Sequence, residues 1–208
     1  MALSLYRHAE KNPGFLASRI QFANTSYVDS NKNQYFKPAA QALPGNYYSV
    51  KELIQYMLED SDNGALFLLG SQLDDQELQN AYSDLGIIVP DMPAPGYSMD
   101  VKTYASFFRV LFSAGYLSRD SSEELLSILA QSTFSQGLQA GVPKGTTVAH
   151  KFGEYTVNPQ HLQLHDCGII YKPHNPYLLC IMTHGTDFDK LAGTIAHISK
   201  IVYATLDQ

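Results

Sequence analysis

GTTVAHKFGEYTVNPQHLQLHDCGIIYKPHNPYLLCIMTHG, residues 145–185, is the stretch in which the chain changes its periodicity. Upstream, apolar residues recur every three or four positions. Here GTTVAHKF, HLQLHDCGIIYK and PYLLCIMTHG alternate with a period of two, which marks three strands. The last two are joined by a tight loop around Pro173 and His174, in a register that sets Cys167 opposite Cys180. Directly opposed Cα atoms lie about 4.5–5.5 Å apart, within reach of a disulfide. Packed, reduced thiols are nevertheless the expected state, because a buried free cysteine behaves as a small hydrophobe.

The helices lie outside this stretch. ALSLYRHAEKN reads as the end of a helix stopped by Pro13 and Gly14. Residues 17–48 are rich in Tyr and Asn and read as irregular surface. Ser49 opens a helix with Glu52 completing a capping box, and Asp74 and Asp100 each cap another. Ser121 is expected to cap the next, with Glu124 in the box position. Thr186 or Asp187 opens a last helix with Phe188, Leu191, Ile195, Ile198 and Val202 on its apolar face. Helices in a block, an antiparallel meander and a closing helix make an α+β fold: one domain over 1–208, with a helical lobe over about 1–146 and the sheet with its C-terminal helix over about 147–208.

Twenty acidic against fourteen basic residues give a formal charge of −6, and the basic residues are scattered. Nucleic acid and anionic membranes need clustered Lys and Arg, so neither is an expected partner. No apolar run is long enough to span a bilayer, and Met1 leads into LSLYRHAEKNPG without the regions of a signal peptide. His161, His165 and Cys167 share a strand face but spread too evenly for a compact tetrahedral site, so no metal and no cofactor is expected.

Two short motifs concentrate the polar chemistry. Ser61-Asp62-Asn63 interrupts two apolar segments in MLEDSDNGALFLLG. In VAHKFGE, Lys151 sits on a strand, where an ammonium must reach water, a carboxylate or a ligand, and Gly153 opens space for a ligand backbone. Glu154 is placed to pair with Lys151 or with a substrate amine, and His150 points to the opposite strand face.

S-D-N followed far downstream by K-[T/S]-G on a strand resembles the motif set of class A β-lactamases and related penicillin-binding proteins. The resemblance implies a helical lobe facing a sheet across a cleft. It implies that Ser61 relays a proton to the departing nitrogen, that Lys151 anchors the substrate carboxylate, and that Asn63 hydrogen-bonds the substrate's side-chain amide. Gly153 would let the acyl group lie along the strand, and Asp62 would fix the loop. The implied ligand is a β-lactam or a D-Ala-D-Ala peptide, and the implied location is periplasmic or extracellular.

The sequence departs from that pattern in three places. Phe152 replaces the Thr or Ser of the lysine motif and is expected at the site in a structural role. Between Leu85 and Asp100 the only acids are Asp91 and Asp100, so a deacylating glutamate is missing. No S-x-x-K occurs; Ser4-Leu-Tyr-Arg7 is the nearest imitation, and arginine cannot serve as a base. ALSLYRHAEKNPGFL resembles the segment just after the nucleophile, which implies that the serine, an N-terminal helix and two strands lie upstream. The chain as given is expected to form no acyl-enzyme. The alternatives are a D-Ala-D-Ala peptidase or a non-catalytic binding module that kept the cleft. An unpaired sheet edge along PYLLCIM is expected to invite self-association.

Overall fold

The structure, a computed structural model, describes residues 1–23, 27, 29–87 and 99–206. The period-two stretch forms β3 (Val148–Asn158), β4 (His161–Ile170) and β5 (Tyr177–Gly185), antiparallel in the order β3-β4-β5. Two shorter strands, β1 (Arg19–Gln21) and β2 (Tyr47–Ser49), pair with each other. The helices are α1 (Ala2–Lys11), α2 (Val50–Glu59), α3 (Asn63–Gly70), α4 (Asp75–Asp84), α5 (Val101–Phe112), α6 (Arg119–Leu129) and α7 (Phe188–Thr205). The α+β expectation holds.

Alternation along the strands splits the core in two. Val148, Phe152, Leu164, Ile170 and Ile181 face α7, where they meet Phe188, Leu191 and Ile195. Ala149, Cys167 and Ile169 face the other way, into the core built by α1, α2, α3, α5 and α6. His150 shares the α7 face. It is buried with its Nδ1 2.8 Å from Asp166 Oδ1, while Asp166 Oδ2 accepts the Leu138 N–H at 2.8 Å. Gly168 lies opposite His150 because any Cβ there would meet the His150 Cβ at 2.4 Å.

Caps set most helix starts. Ser49 and Glu52 exchange both capping-box bonds, and Asp62, Asp74, Asp100 and Asp187 each accept a backbone N–H at the start of α3, α4, α5 and α7. The start of α6 differs from expectation: Ser118 is the cap, accepting the Ser121 N–H, so the helix begins one turn earlier. On α7, Ser199 replaces Ile198 on the buried face. Ser199 donates to Leu138 O at 2.9 Å, and Ile198 remains 36% exposed. The helix backbone packs so tightly on the 3₁₀ turn Leu138–Gly141 that a Cβ on Gly141 would lie 2.4 Å from Ala196 O.

The register around the β4–β5 hairpin is the expected one, with Cys167 opposite Cys180, but the two are joined in a disulfide rather than present as packed thiols. Their side chains share one sheet face, which brings the sulfurs together. The cross-link spans 13 residues of sequence, a loop length for which constraint of the unfolded chain contributes about 3 kcal/mol. Urea unfolding with and without reductant should therefore differ by about 2–3 kcal/mol in favour of the oxidised protein.

Candidate active site

Ser61-Asp62-Asn63 lies between α2 and α3. Ser61 adopts a left-handed conformation (φ 58°), uncommon for a residue with a side chain, which reverses the chain between the two helices. Asp62 stabilises that turn. It is 1% exposed; its Oδ1 accepts from Gly64 N (2.8 Å) and Asn31 Nδ2 (2.7 Å), and its Oδ2 from Ala42 N (2.8 Å). Asn63 donates its backbone N–H to Asn31 Oδ1 at 2.8 Å and its side-chain amide to Ser30 O at 3.2 Å. The polar triplet between two apolar helices is thus a packed turn that aims one hydroxyl outward.

That hydroxyl meets β3. Lys151 Nζ donates to Ser61 Oγ at 2.7 Å and to Phe152 O at 2.9 Å. Burial pushes the Lys151 amine down to about 8, against the opposing pull of the Asp166 and Glu154 charges. Tyr104 on α5 donates its hydroxyl to Lys151 O at 2.6 Å, and burial raises its phenol far above the ordinary value, so it remains a donor. Lys151 is consequently held at both ends of the residue.

Gly153 adds no contact of its own: a Cβ there would find nothing within 4 Å. The open space belongs to a cavity of about 590 Å³ lined by Gly153, Glu154, Tyr155, His165, Tyr104 and neighbouring residues. Phe152 packs into the α7 core, with its ring centroid 4.4 Å from Lys151 Nζ. It stacks on Phe134 with centroids 4.1 Å apart.

Glu154 departs from expectation. Instead of an ion pair with Lys151, its carboxylate accepts the backbone N–H groups of Tyr35 (2.5 Å) and Phe36 (3.1 Å). Residues 29–42, expected as irregular surface, form a strap between the lobes. Gln34 Nε2 donates to Ser61 O at 2.9 Å, Tyr35 Oη donates to Asp189 at 2.7 Å, and the Phe36 ring packs edge-on against Phe134 and Phe152. No periodic signal marks this strap in the sequence; the Asn and Gln density of NKNQ, residues 31–34, is the one local sign of side chains seeking partners.

The remaining candidates lie elsewhere. Asp100 caps α5, with the Thr103 N–H holding its carboxyl below the usual range. Asp91 lies outside the described residues. Cys167 is spent in the disulfide, and among the described residues no three His, Cys, Asp or Glu side chains cluster as metal ligands. Ser4 is buried on α1 with its Oγ unpartnered among the described residues, and it lines an apolar cavity of about 250 Å³ that also reaches Lys151. Arg7, three positions on, turns instead to Glu10 (3.2 Å) and lies over the Tyr116 ring.

The model of the β-lactamase enzyme family matches residues 1–206. The chain belongs to that family. In three dimensions this β-lactamase-family chain resembles the class A β-lactamase from Mycobacterium abscessus, with a TM-score of 0.80 at 24% identity, covering 100% of this chain and 82% of that one. It resembles a β-lactamase from Chitinophaga pinensis with a TM-score of 0.80 at 17% identity, covering 99% and 82%. It also resembles PBP-A, with a TM-score of 0.73 at 20% identity, covering 99% and 77%. At these identities the likenesses establish the fold. No curated protein matches the chain. No described helix is long and apolar enough to cross a membrane.

Asn31 ties the strap to the turn through both ends of a buried amide. Asn31→Ala removes the bonds to Asp62 and to the Asn63 N–H, and should cost about 2–3 kcal/mol in urea unfolding.

Proposed function

We propose that the chain carries the substrate-recognition half of a serine acyl-transfer site, within one β-lactamase-like domain whose lobes span about 1–146 and 147–208. It binds a β-lactam or a D-Ala-D-Ala peptide through its carboxylate. The observation that carries this reading is the 2.7 Å contact between Lys151 Nζ and Ser61 Oγ, which joins a cation on the sheet to a hydroxyl on the helical lobe. Ligands of this class present a carboxylate beside an acyl carbon, and a cation with an adjacent hydroxyl is the complement of that pair.

In this reading Lys151 holds the carboxylate. Ser61 hydrogen-bonds it and is placed to pass a proton to the departing nitrogen, with Lys151 at its other side. Gly153 gives the acyl group room along β3, and Asn63 meets the ligand's amide once its bond to Ser30 is exchanged. Asp62 and Phe152 shape the site without touching the ligand. S-x-x-K is absent from residues 1–208, so recognition is assigned to this chain and covalent turnover is not. A fluorescent penicillin should bind reversibly and leave no adduct by mass spectrometry; a stable acyl adduct overturns that assignment.

The pH dependence follows from the amine near 8. Below that value Lys151 is protonated and attracts the carboxylate; as pH rises through it the charge is lost. Calorimetric affinity for a penicillin should fall between about pH 7 and 9 in the native protein. Lys151→Gln should lose roughly tenfold or more at pH 7 and show no such slope. Equal affinities for both proteins at pH 7 would remove Lys151 from the site.

A second contact is proposed at the other side of the sheet. Among the described residues β5 pairs only with β4, and Leu178 of β5 is 37% exposed, with Ile201 of α7 52% exposed. A free, partly apolar edge favours pairing with a second copy of the chain. Sedimentation equilibrium should show concentration-dependent dimers that Leu178→Lys abolishes; a monomer at all concentrations rules the edge out.

A further inference from the structure

We propose that Lys151 is a covalent site for small apolar aldehydes: its amine captures the carbonyl carbon as an imine, and the apolar cavity that Lys151 lines holds the rest of the molecule. The inference involves no β-lactam and stands apart from the carboxylate-site reading above.

The cavity, of about 250 Å³, lies among α1, α2, α4, α5 and α6. Leu58 of α2, Leu78 and Ala81 of α4, Phe108 and Leu111 of α5 and Leu125 of α6 make its wall apolar. Lys151 is the one Lys, Arg or His side chain that lines it among the described residues. An apolar cavity of about 150 Å³ already suffices for benzene, so this one accommodates an aryl or short alkyl body.

The surroundings of Lys151 favour a neutral amine. No ion pair to it is present among the described residues. An ammonium withdrawn from water without a carboxylate against it is costly, and release of its proton removes that cost. Burial brings the amine down to about 8, although the Asp166 and Glu154 charges and the Phe152 ring, 4.4 Å from Nζ, all favour the cation. The residue still keeps part of its surface accessible, so a small molecule can reach it.

The hydrogen bonds leave the nitrogen fixed and its lone pair free. Nζ donates to Ser61 Oγ at 2.7 Å and to Phe152 O at 2.9 Å. A neutral amine has two hydrogens, and these two acceptors can hold both. The lone pair is then unengaged, as in other lysine nucleophiles that form Schiff bases. It attacks the carbonyl carbon, the π pair moves to oxygen, and one nitrogen proton passes to that oxygen. The carbinolamine then loses its hydroxyl with the second nitrogen proton as water, and the C=N bond forms. The Ser61 hydroxyl, beside Nζ, is placed to carry these protons. No oxidant, reductant or further reagent is required.

The test treats the whole chain with benzaldehyde and cyanoborohydride, which reduces the imine to a stable secondary amine, and maps the adducts by mass spectrometry. The exposed Lys190 is the internal reference. At pH 8 Lys151 should be labelled about tenfold or more faster than Lys190, because an ordinary lysine, with a pKa of about 10.4, is almost wholly protonated there. Labelling of Lys151 should rise through about pH 8. Toluene, competing for the cavity, should lower the Lys151 to Lys190 ratio several-fold. Ala81→Leu, which fills the cavity from α4, should do the same, with its urea midpoint checking that the variant is folded. Equal labelling of the two lysines, an adduct on the Met1 amine in place of Lys151, or a ratio that toluene leaves unchanged each overturns the inference. Labelled Lys151 in a protein that binds no penicillin supports it and overturns only the carboxylate-site reading.

Discussion

The site depends on how one buried carboxylate is satisfied. Asp62 is nearly sealed from solvent, and leaving it without donors would cost several kcal/mol. Its donors come from three parts of the chain: Gly64 at the start of α3, Asn31 in the strap and Ala42 before β2. Meeting that demand closes the turn at Ser61, draws the strap against the helical lobe and sets the entry to α3. The Ser61 hydroxyl is aimed by this arrangement, in which the residue is left-handed, its carbonyl accepts from Gln34 and its Oγ accepts from Lys151.

Across the groove, Lys151 shows the opposite balance. Burial weakens its hold on a proton, and the Asp166 and Glu154 charges only partly restore it, leaving an amine that titrates near 8. Asp166 is itself fixed by His150 and the Leu138 N–H on the far face of the sheet. The α7 core therefore acts on Lys151 both through the Asp166 charge and through the Phe152 ring, 4.4 Å from its Nζ. Phe152, by stacking on Phe134, gives the second core an aromatic wall beside the Lys151 amine.

Much of the architecture was legible because it follows from local chemistry. Ser49, Asp74, Asp100 and Asp187 cap helices since each leaves orphan N–H groups that a short polar side chain can meet. Ser118 in place of Ser121 shows the limit, for both serines can cap and only packing of the next turn chooses between them. Ser199 in place of Ile198 is similar: the 3₁₀ turn at Gly141 comes so close that a small side chain is required where periodicity calls for an apolar one.

The sequence by itself determined the three-stranded meander, its register through Cys167 and Cys180, the helix starts at Ser49, Asp74, Asp100 and Asp187, and the pairing of S-D-N with a strand lysine, because alternation, capping and motif spacing are written in neighbouring residues. Only the tertiary structure decided that Cys167 and Cys180 are bonded, that residues 29–42 bridge the lobes, and that Glu154 faces the strap rather than Lys151. The physical reason is that a buried polar group takes its partner from whichever segment folding brings within about 3 Å, and for Asn31, Gln34 and Glu154 those segments lie far away in sequence.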